Sequence, residues 1–213
     1  MPNLRPSAPL TRRAVLAALV AAPLAAVLAA QLARPALAQA QGGASGLVKS
    51  TGDALVTIVN SPGTATEKKP RLRQVIEGSV DVEEIGRFSL GRYWRSATPE
   101  QQKQYSALFH DVLLTNITAK LGEYQGVSFT MGTTQTHDDG EHVMTVVMRP
   151  NNPPTNVAWV VANSGGRPKI IDVIAEGTSM RLTQRSDYAS YLSRNGGNVQ
   201  SLIDAMRAQI ARN

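Results

Sequence analysis

Residues 169–197 read KIIDVIAEGTSMRLTQRSDYASYLSRNGG, and this stretch decides the fold. Residues 169–176 have the composition of a strand, Gly177 turns the chain, and a helix follows that ends on Gly196-Gly197. Along the strand Ile170 and Ile174 point to one side, and Ile171, Val173 and Ala175 to the other. A strand that is apolar on both sides needs a cover on each. Helices of the same chain can cover one side. The cover for the second side is the question the rest of the sequence has to answer.

Working back from this strand, three more segments change the hydrophobic period from helical to two. Residues 156–163 (NVAWVVAN) and 142–149 are apolar on both sides, and Val127, Phe129 and Met131 alternate with Ser128 and Thr130. Asp138-Asp139-Gly140 is a hairpin signal, and Ser164-Gly165-Gly166 closes the next turn. Four strands joined by short turns predict an antiparallel meander.

Helical patterns flank the sheet. Leu47, Val48, Leu55, Ile58 and Val59 mark a first helix that stops at Ser61-Pro62-Gly63. A second is expected over about residues 67–77 and a third from Asp81 to about Leu90. The longest starts at Thr98, which caps it, with Pro99 at the first position and Gln101 completing a capping box. Its stripe of Tyr105, Phe109, Leu113, Ile117 and Leu121 is broad enough to require a large partner surface. The last helix carries Val199, Leu202, Ile203, Met206 and Ile210 after Asn198. The fold class is therefore α+β: a four-stranded antiparallel sheet packed with N-terminal and C-terminal helices.

Composition narrows the function. The chain has 213 residues and no cysteine, which excludes a disulfide scaffold and any thiolate chemistry. Its net charge of +6 owes much to Arg5, Arg12, Arg13 and Arg34, and the remainder holds 18 basic and 16 acidic side chains. That near-neutral remainder lacks the basic field of a nucleic-acid binder. Residues 1–40 have the pattern of an export signal: paired Arg12-Arg13, an apolar run, and a small-x-small site at Ala36-Leu37-Ala38. The arginine pair resembles a twin-arginine signal with Val15 in the place phenylalanine usually holds, and a plain Sec signal or an uncleaved anchor accounts for the same segment. Cleavage after Ala38 or Ala40 fits equally, leaving residues 41–213 as a single domain.

No nucleophile elbow and no phosphate loop is present. His137, Asp138, Asp139, Glu141 and His142 offer metal-ligand types across the hairpin, and a solvated turn accounts for the same residues. A hydrolase would have to use His137, Asp139 or His142. His110 stands alone on the long helix. Arg92, Trp94 and Arg95 combine an aromatic body with guanidinium heads, suited either to a cavity mouth or to a core tryptophan between surface arginines. Val127, Phe129, Val146, Met148, Trp159, Val161, Ile171 and Val173 are the candidates for an apolar face that the helices leave unfilled, with Phe109 and Leu113 facing them from the long helix. Ordinary core accounts for the same residues. Met131, Met144 and Met148 would suit a wall that adapts to variable chains.

The run Ile171-Asp172-Val173-Ile174-Ala175-Glu176-Gly177-Thr178-Ser179-Met180, followed by Arg185-Ser186-Asp187-Tyr188 and Arg194-Asn195-Gly196-Gly197, resembles the MlaC family. Gly91-Arg92-Tyr93-Trp94-Arg95 with Thr98-Pro99-Glu100-Gln101 resembles the same family, and the likeness covers about residues 45–212. The resemblance implies a periplasmic, non-enzymatic auxiliary protein of a phospholipid ABC transport system, often called a toluene-tolerance protein. It implies an apolar lipid cavity between sheet and helices and no cofactor or metal. The implied cargo is a phospholipid or related lipid, with a hopanoid-linked branch as the alternative. The implied partners are an inner-membrane ABC transporter complex and an outer-membrane lipoprotein complex.

Overall fold

A computed structural model describes residues 43–212, so the expected leader lies outside the described residues. Helices come first: α1 (Ala44–Asn60), α2 (Ala65–Ser79), α3 (Val82–Leu90), the single turn α4 (Tyr93–Ser96) and α5 (Pro99–Ala119), followed by a 3-10 turn at Leu121–Tyr124. The sheet is β1 (Ser128–His137), β2 (Gly140–Met148), β3 (Thr155–Ser164), β4 (Arg167–Ala175) and β5 (Thr178–Ser179). The chain then continues through α6 (Met180–Arg194) and α7 (Val199–Arg212). Strand order follows chain order and every neighbouring pair is antiparallel. The class is α+β, as the periodicities predict.

The sheet has one strand more than expected. Glu176 and Gly177 adopt φ of 47° and 78°, folding a tight turn that lays Thr178 beside Ala175. The Glu176 carboxylate accepts from the Asn156 N–H at 2.6 Å, and the Glu176 N–H donates to the Asn156 carbonyl at 3.0 Å. Ser179 closes this strand and also caps α6, accepting from the Leu182 N–H at 3.1 Å. Asp172, almost fully buried, ties the two elements together: it accepts from the Ser179 hydroxyl and from the Arg181 N–H at 3.0 Å. The Asp-to-Ser portion of the stretch quoted first is thus a hinge of hydrogen bonds between β4 and α6. At the far end of α6, the Gly197 N–H reaches back to the Leu192 carbonyl at 2.7 Å, with Gly196 at φ 63°. This is a Schellman stop.

Caps elsewhere follow the sequence. Thr98 and Gln101 form the capping box of α5. A second box, Thr64 with Glu67, starts α2 earlier than its apolar pattern suggests.

Three apolar clusters hold the layers together. The largest joins α3, α5, α6 and α7 through Tyr105, Phe109, Tyr188, Leu192, Ile203 and Met206. Its rings interlock, with centroids 5.8 Å apart for Tyr105–Phe109 and 6.1 Å for Tyr105–Tyr188. Burial pushes both tyrosine hydroxyls well above their usual pKa, and that of Tyr105 donates to the Gly86 carbonyl at 2.9 Å. The second cluster packs the start of α1 on the sheet through Ala44, Val48, Val143, Val161 and Ile170. The third gathers Ile58, Val59, Leu72, Leu121 and Val127 around the end of α1.

Register decides which strand residues share a side. Phe129 lies opposite Val147, Val143 opposite Trp159, and Trp159 opposite Val173. These five residues face α1. By alternation Val146 and Met148 point to the other side. The register slips at Val160/Val161, where Ile171 is the extra residue on β4, and again at Met131/Thr134 on β1.

Candidate functional site

Between the α1-facing side of the sheet and the helices lies a cavity of about 410 Å³. From α1 come Gly52, Leu55, Val56 and Val59, and from α2 Leu72. The end of α5 and the 3-10 turn supply Asn116, Ile117, Lys120, Leu121 and Tyr124. The sheet closes it with Val127, Phe129, Val147, Trp159 and Val173. Beyond Asn116, Lys120 and the Tyr124 hydroxyl, the lining side chains are hydrocarbon, and these three residues are exposed. The indole N–H of Trp159 is turned away into a 3.0 Å hydrogen bond with the Thr145 hydroxyl, so the ring offers the cavity a wall without a free donor.

Gly52 shapes the middle of this space. A Cβ built there would overlap the end of the Phe129 ring, so a glycine at this point lets α1 lie directly against that ring. The same contact brings β1 against α1 within the cavity lining.

The residues expected from sequence separate into two groups. Val127, Phe129, Trp159 and Val173 line the cavity. The others do not, for identifiable reasons. Phe109 is locked in the aromatic cluster with Tyr105 and Tyr188. Leu113 is half-buried on α5, outside the lining. Val161 packs with Ala44 and Val48. Ile171 is buried at the bulge. Val146 and Met148 sit one residue out of phase with Val147, and Met148 is 39% exposed. An uninterrupted apolar run carries no phase, so the sequence alone did not distinguish Val147 from its neighbours.

The expected mouth residues are also elsewhere. Arg92 lies over Tyr93, at 4.9 Å from the ring centroid. Trp94 meets Tyr105 edge-on with centroids 6.3 Å apart and carries Arg87 on its ring. Arg95 is exposed on the same short helix. This segment belongs to the α3–α5–α7 corner, and none of it reaches the cavity. The reading of a core tryptophan between surface arginines fits this placement. Lys120, Asn116 and Tyr124 take that place at the rim, and the sequence around them, KLGEYQG, signals only the end of a helix.

The hairpin cluster is engaged internally. His142 Nε2 is 2.8 Å from Asp139 Oδ1, Arg181 reaches Asp139 Oδ2 at 3.2 Å, and the His137 and His142 rings stack at 4.0 Å. Burial pushes the Asp139 carboxyl up, but the His142 and Arg181 contacts outweigh it and hold the carboxyl below its usual range. No group of three histidine or acidic side chains placed to hold a metal exists among the described residues. His110 lies between Glu77 and Arg73, each at 3.3 Å, as part of the α2–α5 contact. No described helix is long and apolar enough to cross a membrane.

A meander sheet with helices on it and a hydrocarbon-lined cavity between them defines an α+β protein built around an apolar chamber. The profile of the MlaC protein family matches residues 49–208, and the chain belongs to that family. The toluene tolerance protein ttg2D of Pseudomonas putida is 27% identical over 144 residues, spanning 66% of this chain and 66% of that protein's own length. The fold is also that of a phospholipid-binding protein from Ralstonia solanacearum solved in complex with a phospholipid. The two share 23% identity with a TM-score of 0.65, over 79% of this chain and 98% of the other.

Proposed function

We propose that this chain is a periplasmic carrier that shelters the acyl part of a phospholipid in the cavity and moves it between membranes. The single observation behind this reading is the open, hydrocarbon-lined chamber of about 410 Å³ under α1. The phospholipid complex of the Ralstonia solanacearum protein supports the choice of cargo. The export pattern of residues 1–40 supports the compartment. An inner-membrane ABC transporter complex and an outer-membrane lipoprotein complex are the partners this reading assigns.

Capacity sets the detail. A chamber of about 410 Å³ has room for hydrocarbon on the scale of an acyl chain. At about 0.8 kcal/mol per CH₂, hiding that chain from water is worth on the order of 10 kcal/mol before the cost of immobilising it. No bond has to be made or broken for this, so the carrier needs no catalytic group. A separate hollow of about 550 Å³ lies between α1 and α2, bordered by Leu47, Thr51, Ile58 and Val75.

Vesicle-to-vesicle transfer of a fluorescent phospholipid tests the reading. The purified chain is expected to raise the transfer rate in proportion to its concentration. A rate equal to that of vesicles alone would overturn it.

A further inference from the structure

We propose that Lys120, which lines the cavity, and Arg149, which stacks on the cavity-lining Tyr124, form a binding site for the phosphate of the lipid head group. The proposal rests on the carrier reading and adds selectivity to it. Tyr124 lines the cavity, as Lys120 does, and it carries the Arg149 guanidinium 5.0 Å from its ring centroid. Lys120 is the residue on which α5 ends, and its side chain is exposed beside the hydrocarbon wall. Arg149 directly follows β2, whose Val147 lines the same wall.

Neither cation has a carboxylate partner among the described residues. Two other cations of α2 are committed. Lys68 donates to the Val59 carbonyl at 2.8 Å, and Arg73 pairs with Asp111 at 2.9 Å. An arginine stacked on an aromatic ring keeps its in-plane N–H groups available, and these match two phosphate oxygens. A lysine adds a point charge with no fixed geometry. Together they favour a phosphate held at the rim of a chamber whose interior accepts only hydrocarbon.

The test is displacement of a bound fluorescent acyl probe by phosphatidic acid or by diacylglycerol with the same chains. It compares the wild-type chain with the Lys120→Ser/Arg149→Ser double variant. The wild type is expected to bind phosphatidic acid on the order of tenfold more tightly than diacylglycerol. The double variant is expected to lose that preference, read as the ratio of its phosphatidic acid and diacylglycerol affinities. Equal wild-type affinities, or a preference that survives in the variant, would overturn the site and leave the carrier reading standing. A wild type that binds neither lipid overturns both. If the cations serve folding alone, the variant's melting temperature falls and its preference persists, which also counts against the site. Excess inorganic phosphate is expected to erode only the phosphatidic acid preference. Loss of diacylglycerol binding under the same conditions would contradict it.

Discussion

The corner built by α3, α5, α6 and α7 and the chamber under α1 are made of the same kinds of residue, and they end differently. In the corner, Tyr105, Phe109 and Tyr188 interlock and Leu192 and Ile203 have no exposure, so the apolar surface is consumed by the protein itself. Under α1 the sheet offers Phe129, Val147, Trp159 and Val173, and α1, Leu72 of α2, the end of α5 and the 3-10 turn leave a hollow between them. Apolar pattern gives the amount of surface to be covered. The number of helices that arrive to cover it decides whether a core or a chamber results.

The largest expected effect lies in the filled region. Phe109→Ala should cost about 3–5 kcal/mol in denaturant unfolding, because a close-packed site cannot collapse around the lost ring. Its acyl-probe affinity per folded molecule should be unchanged. A loss of affinity without a loss of stability would remove the distinction between the two regions.

Adjacent positions on β2 sharpen the comparison. Val147→Asp sets an unpartnered carboxylate in the chamber wall, at a penalty of about 2–3 kcal/mol, and titration with a fluorescent fatty-acyl probe should show roughly hundredfold weaker binding. Met148→Asp, on the exposed side, should bind as the wild type does. The reverse ranking would mean that the register has been misread.

Phe129→Ala is expected to be milder than Phe109→Ala, at about 1–3 kcal/mol, since the ring already borders empty space. Removing the ring from its seat on Gly52 should lengthen the preferred chain by roughly three carbons in a chain-length series. An unchanged preference would mean that this ring does not set the depth.

The smallest effect concerns the hairpin latch on α6. The Asp139 carboxyl is held below its ordinary pKa of about 3.9. A group with a depressed folded pKa contributes fully above its unfolded value, and that contribution is lost as the pH falls through the folded one. Asp139→Asn should therefore lower the melting temperature slightly at neutral pH, and the difference should vanish well below pH of about 4. A difference that persists there would assign the latch to something other than this charge.

The sequence carried the fold further than the site. The capping residues Thr98 and Gln101, the Asp-Gly hairpin and the terminal Gly196 each satisfy local rules, and the elements they bound are where the spacing places them. The strand β5 escaped notice because two residues pairing through a left-handed Glu176 leave no periodic trace. At the site, Val127, Phe129, Trp159 and Val173 were legible as surplus apolar residues. Val147 was not, since the strand is apolar on both sides and phase comes only from pairing. Gly52, Leu55 and Val56 read as one face of a helix, and nothing in their spacing says that the opposing surface stands off. Lys120 and Arg149 lie 29 positions apart in the chain, and no local pattern links the two.

Native mass spectrometry of the chain purified without detergent tests the central claim most directly. Protein carrying a bound acyl lipid, released and identified on activation, is the expected result. Protein that is uniformly empty, and that stays empty after incubation with phospholipid vesicles, would contradict the account.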